Sequence, residues 1–109
     1  MHELAITQSV VEAVAERVAP SRVTVVHLTI GRVSGVDVDA IRFCFDLAAE
    51  GTVVEGARLE ISEPAGRARC RQCGADFGVD DLVLLCRCGS VDVELSQGGE
   101  LLVRAVEVV

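Results

Sequence analysis

Five of the 109 residues are cysteine, and four of them form two short chelating pairs. The first pair is Cys70-Arg-Gln-Cys73, followed by Gly74; twelve residues separate Cys73 from the second, Cys86-Arg-Cys88-Gly89. A structural zinc takes four such thiolates in a tetrahedron, and a site closed by four protein ligands suits folding and not catalysis. The glycine after each pair can take a positive φ, which lets backbone amides turn back toward the sulfurs. The second pair is one residue shorter than the usual Cys-x-x-Cys, so it demands a tighter turn while still bringing both thiolates to one metal. Iron–sulfur ligation is the competing use of four cysteines and is less favoured by this spacing. Arg69, Arg71 and Arg87 flank the sulfurs and are expected to offset the negative charge of four thiolates. The fifth cysteine, Cys44, lies between Phe43 and Phe45 and reads as a buried thiol acting as a small hydrophobe.

A second constellation opens the chain. Met1-His2-Glu3 offers an α-amine, the amide nitrogen and imidazole of His2, and a carboxylate within three residues. Amine, deprotonated amide and Nδ1 of the same histidine close adjacent chelate rings, and a square-planar, nitrogen-rich set favours Ni(II) or Cu(II). Glu3, through its carboxylate or its amide, can supply the fourth ligand. The only other histidine, His27, has no Cys, Asp or Glu at ligand spacing within its own segment and reads as a structural or surface residue.

The periodicities say what must position these groups. Leu4, Val11, Val14 and Val18 share one helical face, with Glu12, Glu16 and Arg17 on the wet side, in a first helix that ends near Pro20. Residues 22–31 alternate as a strand, with Val26, Leu28 and Ile30 on one face and Val25, His27 and Thr29 on the other. Asp37 is an N-cap for a second helix, in which Val38, Ile41, Phe45 and Ala48 recur until Gly51. A second strand spans 57–62, burying Ala57, Leu59 and Ile61. Glu63-Pro64-Ala65-Gly66 and Ser96-Gln97-Gly98-Gly99 are breaks, and everything cysteine-rich lies between them. Residues 100–109 are apolar on nearly both faces, as expected for a strand covered on both sides.

Composition narrows the field of functions. Ten arginines, no lysine and seventeen acids give a formal charge of −7, and three Phe are the only aromatics. An acidic chain with little to stack on bases is a poor binder of nucleic acid or of an anionic membrane. No stretch approaches the roughly 20 apolar residues of a membrane span, and the amino terminus lacks a basic-then-apolar leader, so a cytoplasmic location is expected. No nucleophile elbow, Ser/His/Asp set or open metal site supports an enzyme. A zinc-ribbon interaction module is the alternative to a metal carrier.

End to end, the chain resembles the HypA/HybF family of hydrogenase nickel-incorporation proteins. The resemblance is carried by Met1-His-Glu-Leu4, Ile30-Gly31, Phe43-Cys-Phe-Asp46, Glu50-Gly-Thr52, Glu55-Gly-Ala57, the cysteine module ending Cys88-Gly-Ser90, and Val106-Glu-Val108. It implies an α+β fold: two helices on a three-stranded sheet, in a nickel-binding domain of residues 1–63 plus 100–109. Residues 64–99 would be an inserted rubredoxin-like, zinc-ribbon hairpin module with hinges at both ends. Nickel-binding would fall to Met1, His2 and Glu3, and zinc-binding to Cys70, Cys73, Cys86 and Cys88, with nickel the cargo and zinc structural. The implied role is a non-enzymatic nickel metallochaperone serving the large-subunit precursor of nickel-iron hydrogenase. Its implied partners are that precursor, a HypB-like GTPase and, in some organisms, urease and its accessory proteins. Monomer and homodimer both remain open.

Overall fold

The structure, a computed structural model, describes residues 2–81 and 83–109; Met1 and Leu82 lie outside the described residues. The element order is α1 (Glu3–Val18), β1 (Val23–Ile30), α2 (Val38–Ala49), β2 (Arg58–Ser62), β3 (Gly66–Cys70), β4 (Asp76–Val79), β5 (Val93–Gln97) and β6 (Leu101–Val108). Two three-stranded sheets result, ordered β2-β1-β6 and β4-β3-β5. The chain divides into two compact units. One comprises residues 1–28, 36–61 and 103–109; the other comprises residues 29–35 and 62–102.

In the first unit, α1 buries Thr7, Val11 and Val14, while Leu4 is 44 % exposed. The apolar periodicity puts Leu4 on the buried face and gives no place to Thr7. A threonine can go inside because its Oγ1 donates back along the helix, to Glu3 O at 3.1 Å and Leu4 O at 2.9 Å. The helix stops at Ala19, whose ψ of 142° is the extended conformation that a following proline imposes. Helix α2 begins at its predicted cap: Asp37 Oδ1 accepts from the amides of Asp39 (3.0 Å) and Ala40 (3.3 Å). It buries Ile41, Phe45 and Ala49 and ends where Gly51 turns to φ 75°. Strand β1 is central and buried on both faces along most of its length; beside it Ala57, just before β2, and Leu59 within β2 are buried as the alternation requires, while Ile61 is half-buried.

Strand β6 departs from expectation. Its ends meet β1 in antiparallel fashion, with Val109 N donating to Arg22 O (3.0 Å) and Gly31 N to Glu100 O (2.8 Å). It is nevertheless an edge strand with one neighbour, and Leu102 (46 %) and Val108 (45 %) remain open to water. An apolar run on both strand faces therefore did not mean cover on both faces.

The second unit is small. Strand β3 pairs antiparallel with β4, Arg69 opposite Asp76, and on its other side with β5, Cys70 opposite Val93. Its core is Val33, Ala68 and Val79, with Phe77, Leu84 and Leu95 packed against it. Three glycines make the backbone crossing of this unit possible. A Cβ on Gly31 would collide with the carbonyl of Gly98, and one on Gly98 would meet Gly66 Cα at 2.5 Å. One on Gly66 would strike the carbonyl of Val79. The Pro64–Gly66 and Gly98–Gly99 segments are also hydrogen-bonded: Arg32 N donates to Pro64 O, Gln97 Nε2 to Ala65 O, and Val33 N to Gly98 O.

Candidate metal centre

The four cysteines of the two pairs converge. Their sulfurs all lie within 4.8 Å of one another, with Cys70 Sγ 3.7 Å from Cys88 Sγ and Cys73 Sγ 3.5 Å from Cys86 Sγ. A Zn–S bond of about 2.3 Å sets a tetrahedron edge of about 3.8 Å. The separations therefore match four thiolates around one tetrahedral ion.

Two knuckles build the site. In the first, Cys70 N donates to Ala75 O (2.9 Å) and Gly74 N to Cys70 O (2.9 Å), with Gly74 at φ 79°. In the second, Cys86 N donates to Ser90 O (3.0 Å) and Gly89 N to Cys86 O (2.9 Å), with Gly89 at φ 92°. The same pair of backbone bonds closes each loop, one residue earlier in the second. The short Cys-x-Cys pair is thus absorbed by its own turn without spoiling the convergence of sulfurs. In each knuckle the first cysteine is buried and the second exposed: Cys70 and Cys86 inside, Cys73 and Cys88 at the surface.

The backbone also prepares a thiolate. Cys73 N lies 3.4 Å from Cys70 Sγ. That amide, helped by the amide of Gln72, lowers the Cys70 thiol from 9.0 to about 6 against the upward pull of burial. Cys73 moves the other way: although the Ala75 amide favours its thiolate, the neighbouring sulfurs of Cys86 and Cys70 and the loss of solvent raise it. Of the flanking arginines, Arg71 is committed to carboxylates and not to sulfur. Its Nη1 donates to Asp92 Oδ1 at 3.0 Å, and its Nη2 lies 3.8 Å from Glu94 Oε2. It ties the first knuckle to β5, a role that its position next to Cys70 did not reveal.

The amino-terminal constellation is placed as follows. Met1 lies outside the described residues. His2 is exposed at the N-cap of α1, and its side chain makes no capping hydrogen bond. Glu3, in the first turn, accepts a hydrogen bond at Oε2 from Asp37 N at 3.2 Å. This link across 34 residues joins the starts of α1 and α2 and has no local sequence signal. His27 is half-buried on β1, with Nε2 2.7 Å from Glu107 Oε2, so it serves the β1–β6 pairing as a structural residue. Cys44 is half-buried in α2 and stands apart from the cysteine cluster.

Fold and site together define a small α+β metal-binding protein, with a helical unit beginning at an exposed histidine and a zinc-ribbon-like unit built around four thiolates. Residues 1–108 match the family model described as hydrogenase/urease nickel incorporation, metallochaperone, HypA. The chain belongs to this family, the nickel metallochaperones of hydrogenase maturation. It is 47 % identical over 108 residues to the hydrogenase maturation factor HypA of Nostoc punctiforme, covering 99 % of this chain and 96 % of that one. With the HypA of Trichormus variabilis the identity is 48 % at the same coverage. The solution structure of the Ni metallochaperone HypA from Helicobacter pylori superposes with a TM-score of 0.70 at 25 % identity, covering 99 % of this chain and 97 % of that one.

Proposed function

We propose that this chain carries Ni(II) at its extreme amino terminus and zinc at its four-cysteine centre. Nickel is held by the amine of Met1, the amide and imidazole of His2, and Glu3. The observation that carries this reading is the exposed His2 side chain, free of any capping bond, at the start of α1. The first amides of a helix have no intrahelical partner, so a metal can take the His2 and Glu3 nitrogens without breaking a helical hydrogen bond. Because the Glu3 carboxylate already accepts from Asp37 N, its amide nitrogen is the better fourth donor. An open terminal site suits a carrier that must release its cargo. Zinc at Cys70, Cys73, Cys86 and Cys88 is structural: all four positions are filled by protein, leaving none for substrate.

The protein works in the cytoplasm without catalysing a reaction. The nickel-binding domain, expected as residues 1–63 plus 100–109, is assigned to the first compact unit, and the zinc module, expected as residues 64–99, to the second, which also takes in residues 29–35, 62–63 and 100–102. Its partners are a HypB-like GTPase and the large-subunit precursor of nickel-iron hydrogenase, with urease accessory proteins a further set. It acts as a monomer or homodimer and needs neither nucleic acid nor membrane. No helix among the described residues is long and apolar enough to cross a membrane.

The deciding experiment titrates Ni(II) calorimetrically into zinc-loaded protein with the authentic amino terminus, with His2→Ala, and with an extension before Met1. Saturable binding by the authentic chain alone is expected. Equal binding by all three would move nickel away from the terminus. Glu3→Gln, which keeps the amide nitrogen and an acceptor oxygen for Asp37 N, is expected to retain nickel; its loss would make the carboxylate a ligand.

A further inference from the structure

The outer face of α1 and α2 carries apolar surface that the core does not use. Phe43 is 70 % exposed and is the only exposed aromatic side chain among the described residues; Leu47, one turn on, is 49 % exposed. Residues four apart share a helix face, so the two form one stripe. That stripe runs into a groove of about 440 Å³ between the helices, lined by Gln8, Val11, Glu12 and Ala15 on α1 and by Leu47 and Ala48 on α2. Glu3 meets Asp37 at one end, and Ala15 meets Leu47 and Ala48 toward the other, so the helices run parallel. The groove lies toward the C-terminal ends of both helices, with Thr52, just past α2, completing its wall.

The rim has one sign of charge. Glu12, Asp39, Asp46 and Glu50 are exposed, and none makes an ion pair among the described residues. The nearby cations point elsewhere: Arg42 Nη1 donates to Leu59 O at 3.0 Å, and Arg17 lines a different groove, between α1 and β6. An apolar stripe within an uncompensated acidic rim calls for an occupant with apolar anchors and basic flanks. The face offers side chains and no strand edge, so a helix fits it better than an added strand. The sign of the rim excludes a phosphate backbone.

We propose that this face docks a basic amphipathic helix of a partner protein, with apolar side chains over Phe43 and Leu47 and Lys or Arg against Glu12, Asp46 and Glu50. The surface itself rests on geometry and charge. Its purpose rests on the nickel reading, since the groove is walled by the helix that begins at His2, so a docked partner is held on the nickel-carrying unit.

The test uses the zinc-loaded, nickel-free full chain and a synthetic helical peptide of about 18 residues, with Leu at i, i+3 and i+4 spacing and Lys elsewhere. One-to-one binding is expected, with negligible binding of the same peptide carrying Glu for Lys. Phe43→Ser with Leu47→Ser should weaken it about tenfold or more at unchanged thermal stability, because both side chains are exposed in the free protein. Asp46→Lys with Glu50→Lys should do the same. Asp76→Lys with Asp80→Lys, an equal charge change on the cysteine unit, should alter affinity by less than about twofold. Equal weakening by both charge reversals, or no effect of the Phe43 and Leu47 changes, would overturn the proposal by reducing the attraction to net charge. Nickel plays no part in this readout, so failure of the terminal nickel site and failure of the docking face are separately visible.

Discussion

At the scale of single residues, Cys70 differs from Cys73 in which effect wins at the sulfur: amide donors prevail over burial at Cys70, whereas neighbouring sulfurs and burial prevail over the Ala75 amide at Cys73. Cys73 N holds the Cys70 thiolate and brings it to about 6, so in metal-free protein near neutrality a thiolate already waits for the ion. A depressed acid contributes folded-state stability above its unfolded value of 9.0 and loses it as pH falls through about 6; the raised Cys73 acts in the opposite sense. An ultraviolet thiolate titration of the metal-free protein should therefore show one ionisation step near pH 6 that Cys70→Ser removes. A first step only near 9 in the unsubstituted protein would mean that the amide does not reach the sulfur. The ligand set itself was legible, because two Cys pairs in short turns with following glycines have few other uses. The amide donors were not, since backbone direction is settled by the folded turn. The role of Arg71 was hidden likewise: its partners Asp92 and Glu94 become neighbours only once β5 pairs with β3.

At the scale of elements, both helices and the β1 and β2 strands were readable from periodicity and caps, because local chemistry decides them. Asp37 shows how much one cap contributes. Asp37→Ala removes the acceptor for Asp39 N and Ala40 N and should cost about 1 kcal/mol, seen as a fall in Tm of about 4–8 °C. Nickel affinity should be nearly unchanged, since Glu3 accepts from the main chain of residue 37, which the substitution leaves in place. What periodicity missed was decided by contacts far apart in sequence. The apolar residues of β6 say nothing of its place at a sheet edge, where burial depends on neighbours. The glycines of the two breaks read as punctuation, yet Gly66 and Gly98, together with Gly31 at the end of the first strand, serve close backbone approach. Gly31→Ala forces its Cβ onto the Gly98 carbonyl, so backbone must shift; a loss of about 1–3 kcal/mol is expected in denaturant unfolding. Gly35→Ala is a contrasting control: nothing lies within 4 Å of its Cβ, and any cost would come only from its φ of 80°.

At the scale of the whole molecule, the two units differ in how they can be stable. The helical unit buries Val11, Val14, Val26, Ile41, Phe45 and Val54 from helices and strands alike, a core made by the chain itself. Beneath its sheet the cysteine unit has a cluster of only three buried apolar residues, Val33, Ala68 and Val79; its other buried side chains are Ile30 and Thr29 at the end of β1 and the thiols of Cys70 and Cys86. A core of this size rarely stabilises a fold unaided, and small modules commonly draw the balance from a metal, whose binding energy is then folding energy. Removing zinc should consequently act on the two units unequally. With a strong chelator, amide hydrogen exchange across residues 66–97 should accelerate sharply, while exchange in the cores of α1 and α2 and the helical circular dichroism stay close to those of the zinc-loaded chain. Adding back zinc should restore protection, and Cys86→Ser should reproduce the chelated pattern, with zinc affinity reduced by more than about 100-fold, the upper end of what losing even an outer partner of a ligand costs. Uniform loss of protection throughout the chain would mean that both units fold as one cooperative body. Unchanged protection in residues 66–97 would mean that the four thiolates bind metal for some purpose other than holding the unit together.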